Sequence, residues 1–298
     1  RIEADYLIET AFDPAYAAEV MAGEQSSGTF IAVPGETAEL KERSAARVEH
    51  IEITGEIDKP SLPGSGLPKG GAATRHQAVV TLSWPIDNVG PSLSNLVATI
   101  AGNLFELKAF SGLRLLDVRL PTVFSEKYAG PKFGIEGTRR LSDVHGRPLI
   151  GTIIKPSVGL TAEATGELVG KLADAGIDFV KDDELQADGP SCPFEARVAA
   201  VMAAVNRTAD KTGKKTMVAF NLTGEIDEMR RRHDVVLAHG GTCVMASVLA
   251  VGYAGMIELA RHTELPIHGH RAGWGALSRE PSLGWSFPAW SKLWRLAG

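Results

Sequence analysis

Cysteine is scarce, net charge is small, and no long apolar run occurs. Two cysteines, Cys192 and Cys243, stand in 298 residues. They define no disulfide framework and read as free thiols in a reducing compartment. A formal net charge of −5 leaves no electrostatic footprint for nucleic acid. A phosphorylated substrate would therefore have to be held by local cations and backbone amides. No apolar stretch approaches the roughly 20 residues of a membrane-spanning helix, and no signal peptide opens the chain. The expectation is a cytoplasmic protein with neither a nucleic-acid nor a membrane partner. Residue 1 is Arg, so the start is expected to be trimmed.

What is present is the mix of a globular protein, 44% hydrophobic and 22% charged, long enough for one large or two ordinary domains. Residues 4–10, 29–33, 46–53, 76–84 and 109–120 read as strands. Asp13-Pro14 opens a helix to about residue 23, with Pro at a favoured first-turn position. Residues 92–102 read as a second helix, and the Pro- and Gly-rich residues 60–73 as a loop. Strands interleaved with helices predict an α+β sandwich over residues 1–125.

A connector over residues 121–141 precedes a different rhythm. Strands are expected at 149–155, 177–181, 215–221, 242–247 and 265–270. Helices are expected at 161–175, 193–212, 225–239, 254–262 and 287–296. Five βα units in succession predict a right-handed parallel β/α (TIM) barrel over residues 126–298. A closed barrel needs eight units, so the protein is expected to run on past Gly298.

The chemistry concentrates at strand ends. Ile177-Asp178-Phe179-Val180 leads into Lys181-Asp182-Asp183-Glu184. Strand alternation sends Lys181 and Asp183 to one side and Asp182 to the other. Lys181, Asp183 and Glu184 can converge beyond the carboxyl end, where such barrels keep their active sites. Two carboxylates suit a hard cation such as Mg²⁺. The lysine reads either as an ion-pair partner or, carrying CO₂ as a carbamate, as a third oxygen ligand. Lys155, Asn221 and the run His268-Gly269-His270-Arg271 close other strands, and an arginine there suits a phosphate through its planar fork.

At these residues the chain resembles the RuBisCO large-chain superfamily. Gly151-Thr152-Ile153-Ile154-Lys155-Pro156, Asp178-Phe179-Val180-Lys181-Asp182-Asp183-Glu184 and His268-Gly269-His270-Arg271-Ala272 match its barrel motifs in order and spacing. Glu24-Gln25-Ser26-Ser27-Gly28-Thr29 and Gly102-Asn103-Leu104-Phe105 look like its two amino-terminal catalytic patches. The resemblance implies a ferredoxin-like α+β domain before the barrel. It implies Lys181 as a carbamylated lysine, Asp183 and Glu184 as Mg²⁺ ligands, and Lys155 as the acid/base lysine. His270 and Arg271 would contact a sugar-phosphate substrate. Glu24, Thr29 and Asn103 would complete a neighbouring subunit's site in a homodimer or higher homo-oligomer.

Departures from the family pattern narrow the activity. Ser157 stands where true carboxylases carry a second lysine, Phe30 where they carry tryptophan, and Ala246-Ser247 where they carry His-Asp. These favour a RuBisCO-like protein that enolises a related sugar phosphate. The run through Ala272-Gly273-Trp274-Gly275 is most similar to RuBisCO-like enzymes that decarboxylate a 3-oxo-isoapionate phosphate. The alternatives are an enolase or isomerase of a methylthioribulose-type phosphate in methionine salvage, and ribulose-bisphosphate carboxylation.

Overall fold

The computed structural model of the chain describes residues 1–27, 34–71 and 74–298. The expected strand at 29–33 lies outside the described residues. Strands form at Ile2–Thr10 (β1), Arg47–Ile57 (β2), Arg75–Trp84 (β3), Phe110–Arg119 (β4), Gly151–Ile153 (β5), Phe179–Lys181 (β6), Met217–Asn221 (β7), Cys243–Ser247 (β8), Ile267–His270 (β9) and Leu283–Trp285 (β10). Residues 1–128 with 273–296 make one compact unit, and residues 129–272 with 297–298 another.

In the first unit the strand order is β10-β4-β1-β3-β2. β1 runs antiparallel to β3 and β4, β2 antiparallel to β3, and β10 parallel to β4. Ile2, Ala4, Tyr6 and Ile8 of β1 are fully buried on one face, as a period of two requires. Burying each of the two isoleucines stabilises by about 2 kcal/mol. Asp13 caps helix Pro14–Glu24 by accepting from the Ala15 and Tyr16 amides, each at 3.0 Å. Helix Leu93–Ala101 buries Leu93, Leu96 and Ile100, and the Tyr6 hydroxyl donates to the Ile100 carbonyl at 2.7 Å. A Cβ at Gly102 would lie 2.2 Å from the Ala98 carbonyl oxygen, so glycine is required for the sharp exit into the turn Asn103–Glu106.

Residues 273–296 pack with the first compact unit. The Arg114 guanidinium donates to the carbonyls of Glu280, Leu283 and Trp285 at 2.7, 2.9 and 2.7 Å. Trp285, Trp290 and Leu293 are buried. A three-residue strand such as β10 is too short to show alternation. Helix Gly134–Ser142 forms where a connector was expected, because Gly134 and Gly137 hide it by lowering its propensity.

In the second unit β5-β6-β7-β8-β9 lie in that order, every neighbouring pair parallel. Helices Ala162–Asp174, Phe194–Thr212, Ile226–Ala238 and Val248–His262 alternate with the strands. Met217, Ala219, Cys243 and Met245 cluster on one face of the sheet, against Phe179. Val180, Val218, Phe220 and Val244, the alternate residues, are fully buried too. Burial on both faces is what parallel strands with helical crossovers show. The last of these helices starts earlier than expected and is broken at Gly252, where φ is 69°. Cys192 and Cys243 are buried free thiols. Among the described residues no helix is long and apolar enough to cross a membrane.

Candidate active site

β6 delivers the acidic run to its carboxyl end. Lys181 is 6% exposed, and its amine donates to the Asp182 carbonyl at 3.0 Å. Asp182 turns the other way. It is fully buried against Arg197 at 3.3 Å and accepts from the Asn221 amide at 2.9 Å. Asp183 is also buried. Its Oδ2 lies 2.5 Å from Lys155 Nζ, and its Oδ1 accepts from the Leu185 amide at 3.1 Å. Lys155 donates in addition to Ser157 Oγ at 2.8 Å.

Glu184 completes the group. Its Oε2 is 3.6 Å from His270 Nε2, too far for a hydrogen bond but close enough for charge to be felt. His270 Nδ1 accepts from the Ala272 amide at 3.3 Å, which assigns the proton of the neutral ring to Nε2, on the Glu184 side. The ends of β5, β6 and β9 thus bring Lys155, Lys181, Asp183, Glu184 and His270 together.

The charges act on one another. Burial lowers the Lys181 amine from the ordinary lysine value and Lys155 adds to this, while Glu184, Asp183 and Asp182 oppose it. Burial pushes the Asp183 carboxyl up, but hydrogen bonds from Lys155, the Leu185 amide and Ser157 prevail and hold it below the usual range. Burial lowers His270, as does Lys181, against Glu184 and Asp183. Burial, Lys181 and His270 together press His268 down to about 4.

The remaining expected residues fall as follows. Arg271 is exposed beside His270. Glu24, at the end of helix Pro14–Glu24, and the exposed Asn103 belong to the first unit. Thr29 and Phe30 lie outside the described residues. Asn221 is a loop clamp: its Nδ2 donates to the carbonyls of Glu184 at 3.3 Å and Gln186 at 3.1 Å, and its Oδ1 accepts from the Thr223 hydroxyl at 2.7 Å. Arg197 was not singled out from sequence. The available signal was an arginine one residue from Val198 on the apolar stripe of helix Phe194–Thr212. A cavity of about 210 Å³ lies toward the amino ends of these strands, lined by Gly151, Phe179, Met217 and Cys243, away from the lysines and acids.

The donor set fits a hard divalent cation. Asp183 already pairs with a positive charge, the Lys155 ammonium. Among the described residues Glu184 Oε2 has only the long contact with His270. Burial lowers the Lys181 amine from the ordinary lysine value, against the three neighbouring carboxylates.

The same organisation occurs in known proteins. Residues 134–298 match the family model for the ribulose bisphosphate carboxylase large chain, catalytic domain, and residues 4–124 match the model for its N-terminal domain. A Xanthobacter autotrophicus protein named 3-oxo-isoapionate-4-phosphate transcarboxylase/hydrolase is 62% identical, over 100% of this chain and 71% of the relative. A Rhizobium etli 3-oxo-isoapionate-4-phosphate decarboxylase is 42% identical, over 98% of this chain and 70% of the relative. The crystal structure of a rubisco-like protein from Burkholderia fungorum superposes with a TM-score of 0.91 at 46% identity, covering 100% of this chain and 70% of that one. By sequence and by fold, this chain belongs to the RuBisCO large-chain family.

Proposed function

We propose that the protein is a Mg²⁺-dependent RuBisCO-like enzyme that removes the carboxyl group of a phosphorylated 3-oxo sugar acid of the 3-oxo-isoapionate type. The observation that carries this reading is the Lys155–Asp183 contact at 2.5 Å beside the buried Lys181 and Glu184. An acid/base lysine and an oxygen-donor set stand together at one end of a parallel sheet.

Lys181, as the carbamate formed from its neutral amine and CO₂ with loss of one proton, would join Asp183 and Glu184 in holding Mg²⁺. When bound, that ion stabilises oxyanion charge as a Lewis acid. Arg271 receives the phosphate through its guanidinium fork. His270, with its proton on Nε2, donates to a substrate oxygen. When the bond from the 3-oxo acid's α-carbon to its carboxyl carbon breaks, the electron pair moves onto the ketone oxygen and an enolate results. Lys155, an ammonium beside Asp183, returns a proton to carbon. Glu24, Thr29 and Asn103 are proposed to complete the site of a second copy, which makes the working unit a homodimer or a larger homo-oligomer.

Two fates are open to the carboxyl group. One is release as CO₂, with the proton from Lys155 taking its place on carbon. The other is transfer as CO₂ to a second nucleophilic carbon, which forms a new C–C bond to the carboxyl group, with water then cleaving the β-keto acid so formed into two acids. The 62% identity to the transcarboxylase/hydrolase, against 42% to the decarboxylase, favours transfer. Substrate labelled with ¹³C in the carboxyl group decides between them. Label in CO₂ indicates decarboxylation, and label in a second carboxylic acid indicates transfer. If the label stays in unaltered substrate while deuterium enters from D₂O, simple enolisation replaces both readings.

A further inference from the structure

A second cluster of ligating side chains stands apart from the carboxyl ends of the strands. His233 and Asp234 lie on helix Ile226–Ala238, and His262 ends helix Val248–His262. An ion pair between Arg230 and Glu258 joins the same two helices. His233 Nδ1 is 2.9 Å and His262 Nε2 2.8 Å from a single oxygen, Asp234 Oδ1. The two rings meet edge to face, with centroids 4.9 Å apart. One ligand atom from each residue lies within 4.8 Å of the other two, and no other group of His, Cys, Asp and Glu among the described residues meets that condition.

We propose that His233, Asp234 and His262 form a binding site for a borderline divalent transition ion, with Zn²⁺ as the representative. Two imidazoles and one carboxylate are a donor set that zinc takes, with water in its fourth position. Donor atoms around tetrahedral zinc are separated by about 3.3 Å, given bonds near 2.0 Å. The two contacts to Asp234 therefore need to open only slightly. The residues that must move can do so: the side chain of Asp234 is 62% exposed and that of His262 31%. His233, at 2% exposure, is the fixed wall of the site.

One contact limits the affinity. His233 Nε2 accepts from the Glu264 amide at 3.3 Å, so the ring keeps its proton on Nδ1. An ion on Nδ1 moves that proton to Nε2, and the amide must turn aside. Glu264 is exposed and follows the helix end, so this costs affinity without closing the site. Micromolar binding is expected. The nitrogen-rich set is also distinct from the oxygen donors of Asp183 and Glu184, so Mg²⁺ does not compete for it.

The test is titration of the chelator-stripped protein with Zn²⁺ against a chromophoric competitor, in excess Mg²⁺, with Co²⁺ as the optical probe. One saturable equivalent is expected, with visible Co²⁺ bands of a four-coordinate site, and it should persist in Lys181→Ala. Asp234→Asn and His262→Ala, both at accessible positions, should each weaken binding about tenfold or more, with an unchanged circular dichroism spectrum. Zn²⁺ affinity in both variants equal to that of the unaltered protein overturns the proposal. So does the absence of saturable binding below about 100 µM; the triad would then be a hydrogen-bonded clasp between two helices.

Discussion

Asp182 and Arg197 face each other across 3.3 Å with neither side chain exposed to solvent. The pair anchors the middle acid of Lys181-Asp182-Asp183-Glu184 on the side of β6 opposite its neighbours. Arg197 also donates to the carbonyls of Ala187 at 3.0 Å and Cys192 at 3.2 Å, and Asp182 accepts from the Asn221 amide. The loop that presents Asp183 and Glu184 is therefore held from behind.

Removing one partner leaves the other charge buried and unpaired. Arg197→Met is expected to destabilise by about 3–5 kcal/mol, whereas the double variant with Asp182→Leu should recover part of that loss. Urea unfolding of the two variants checks this. Equal stability of single and double variants would mean that the pair is not what Arg197 contributes.

Lys181→Ala should abolish turnover and weaken Mg²⁺ binding. Loss of several kcal/mol of charge stabilisation corresponds to about a thousandfold or more in rate. Stripping divalent ions with a chelator should give the same loss in the unaltered protein, reversible with Mg²⁺ and bicarbonate. Isothermal titration with Mg²⁺, with and without CO₂, reads the binding directly. Unchanged turnover and affinity in Lys181→Ala would remove this site from the chemistry.

His268 predicts an acid-side loss of stability. Its folded value is about 4 against an unfolded 6.5, because burial, Lys181 and His270 oppose its charging. Between those values the unfolded chain binds a proton that the native chain does not. Stability therefore falls as pH drops through that window and levels off below it, by at most about 3 kcal/mol. His268→Gln should flatten this part of the curve. Denaturation midpoints at pH 7 and pH 4.5 test it.

Asp178 predicts the response of a paired acid. The Arg147 guanidinium, and after it Lys214 and the Ile150 amide, hold its carboxyl well below the usual carboxylate range despite burial. Its contribution is fully present above about pH 4 and is lost as pH falls toward the folded value. Asp178→Asn should cost about 2 kcal/mol at neutral pH, less than a fully buried pair because Arg147 and Lys214 stay partly solvated. The gap to the unaltered protein should narrow in acid, as read by denaturant unfolding at about pH 7 and about pH 2.

Much of the second unit was legible residue by residue. A run such as Met217–Asn221, apolar at every position until its last, reads as a strand buried on both sides. The alternation that separates Asp182 from Lys181 and Asp183 follows from the strand period alone. Arg197 was not legible as the partner of Asp182, because a 15-residue separation along the chain says nothing of the helix packing that joins them. The packing of residues 273–296 is equally remote from local sequence: it depends on Arg114, more than 160 positions away, whose guanidinium gathers three of their carbonyls.

Local order along the chain was enough to determine the two kinds of domain, the strands that end at Lys181 and His270 or, for β5, just before Lys155, and the family to which those endings belong. Periodicity and short motifs act over a few residues and survive without neighbours. Only the tertiary structure decided that Lys155 pairs with Asp183, that Asn221 clamps a loop, and that His233, Asp234 and His262 meet. Those contacts form where separate helices and strands pack, and packing depends on shape and burial summed over the whole unit.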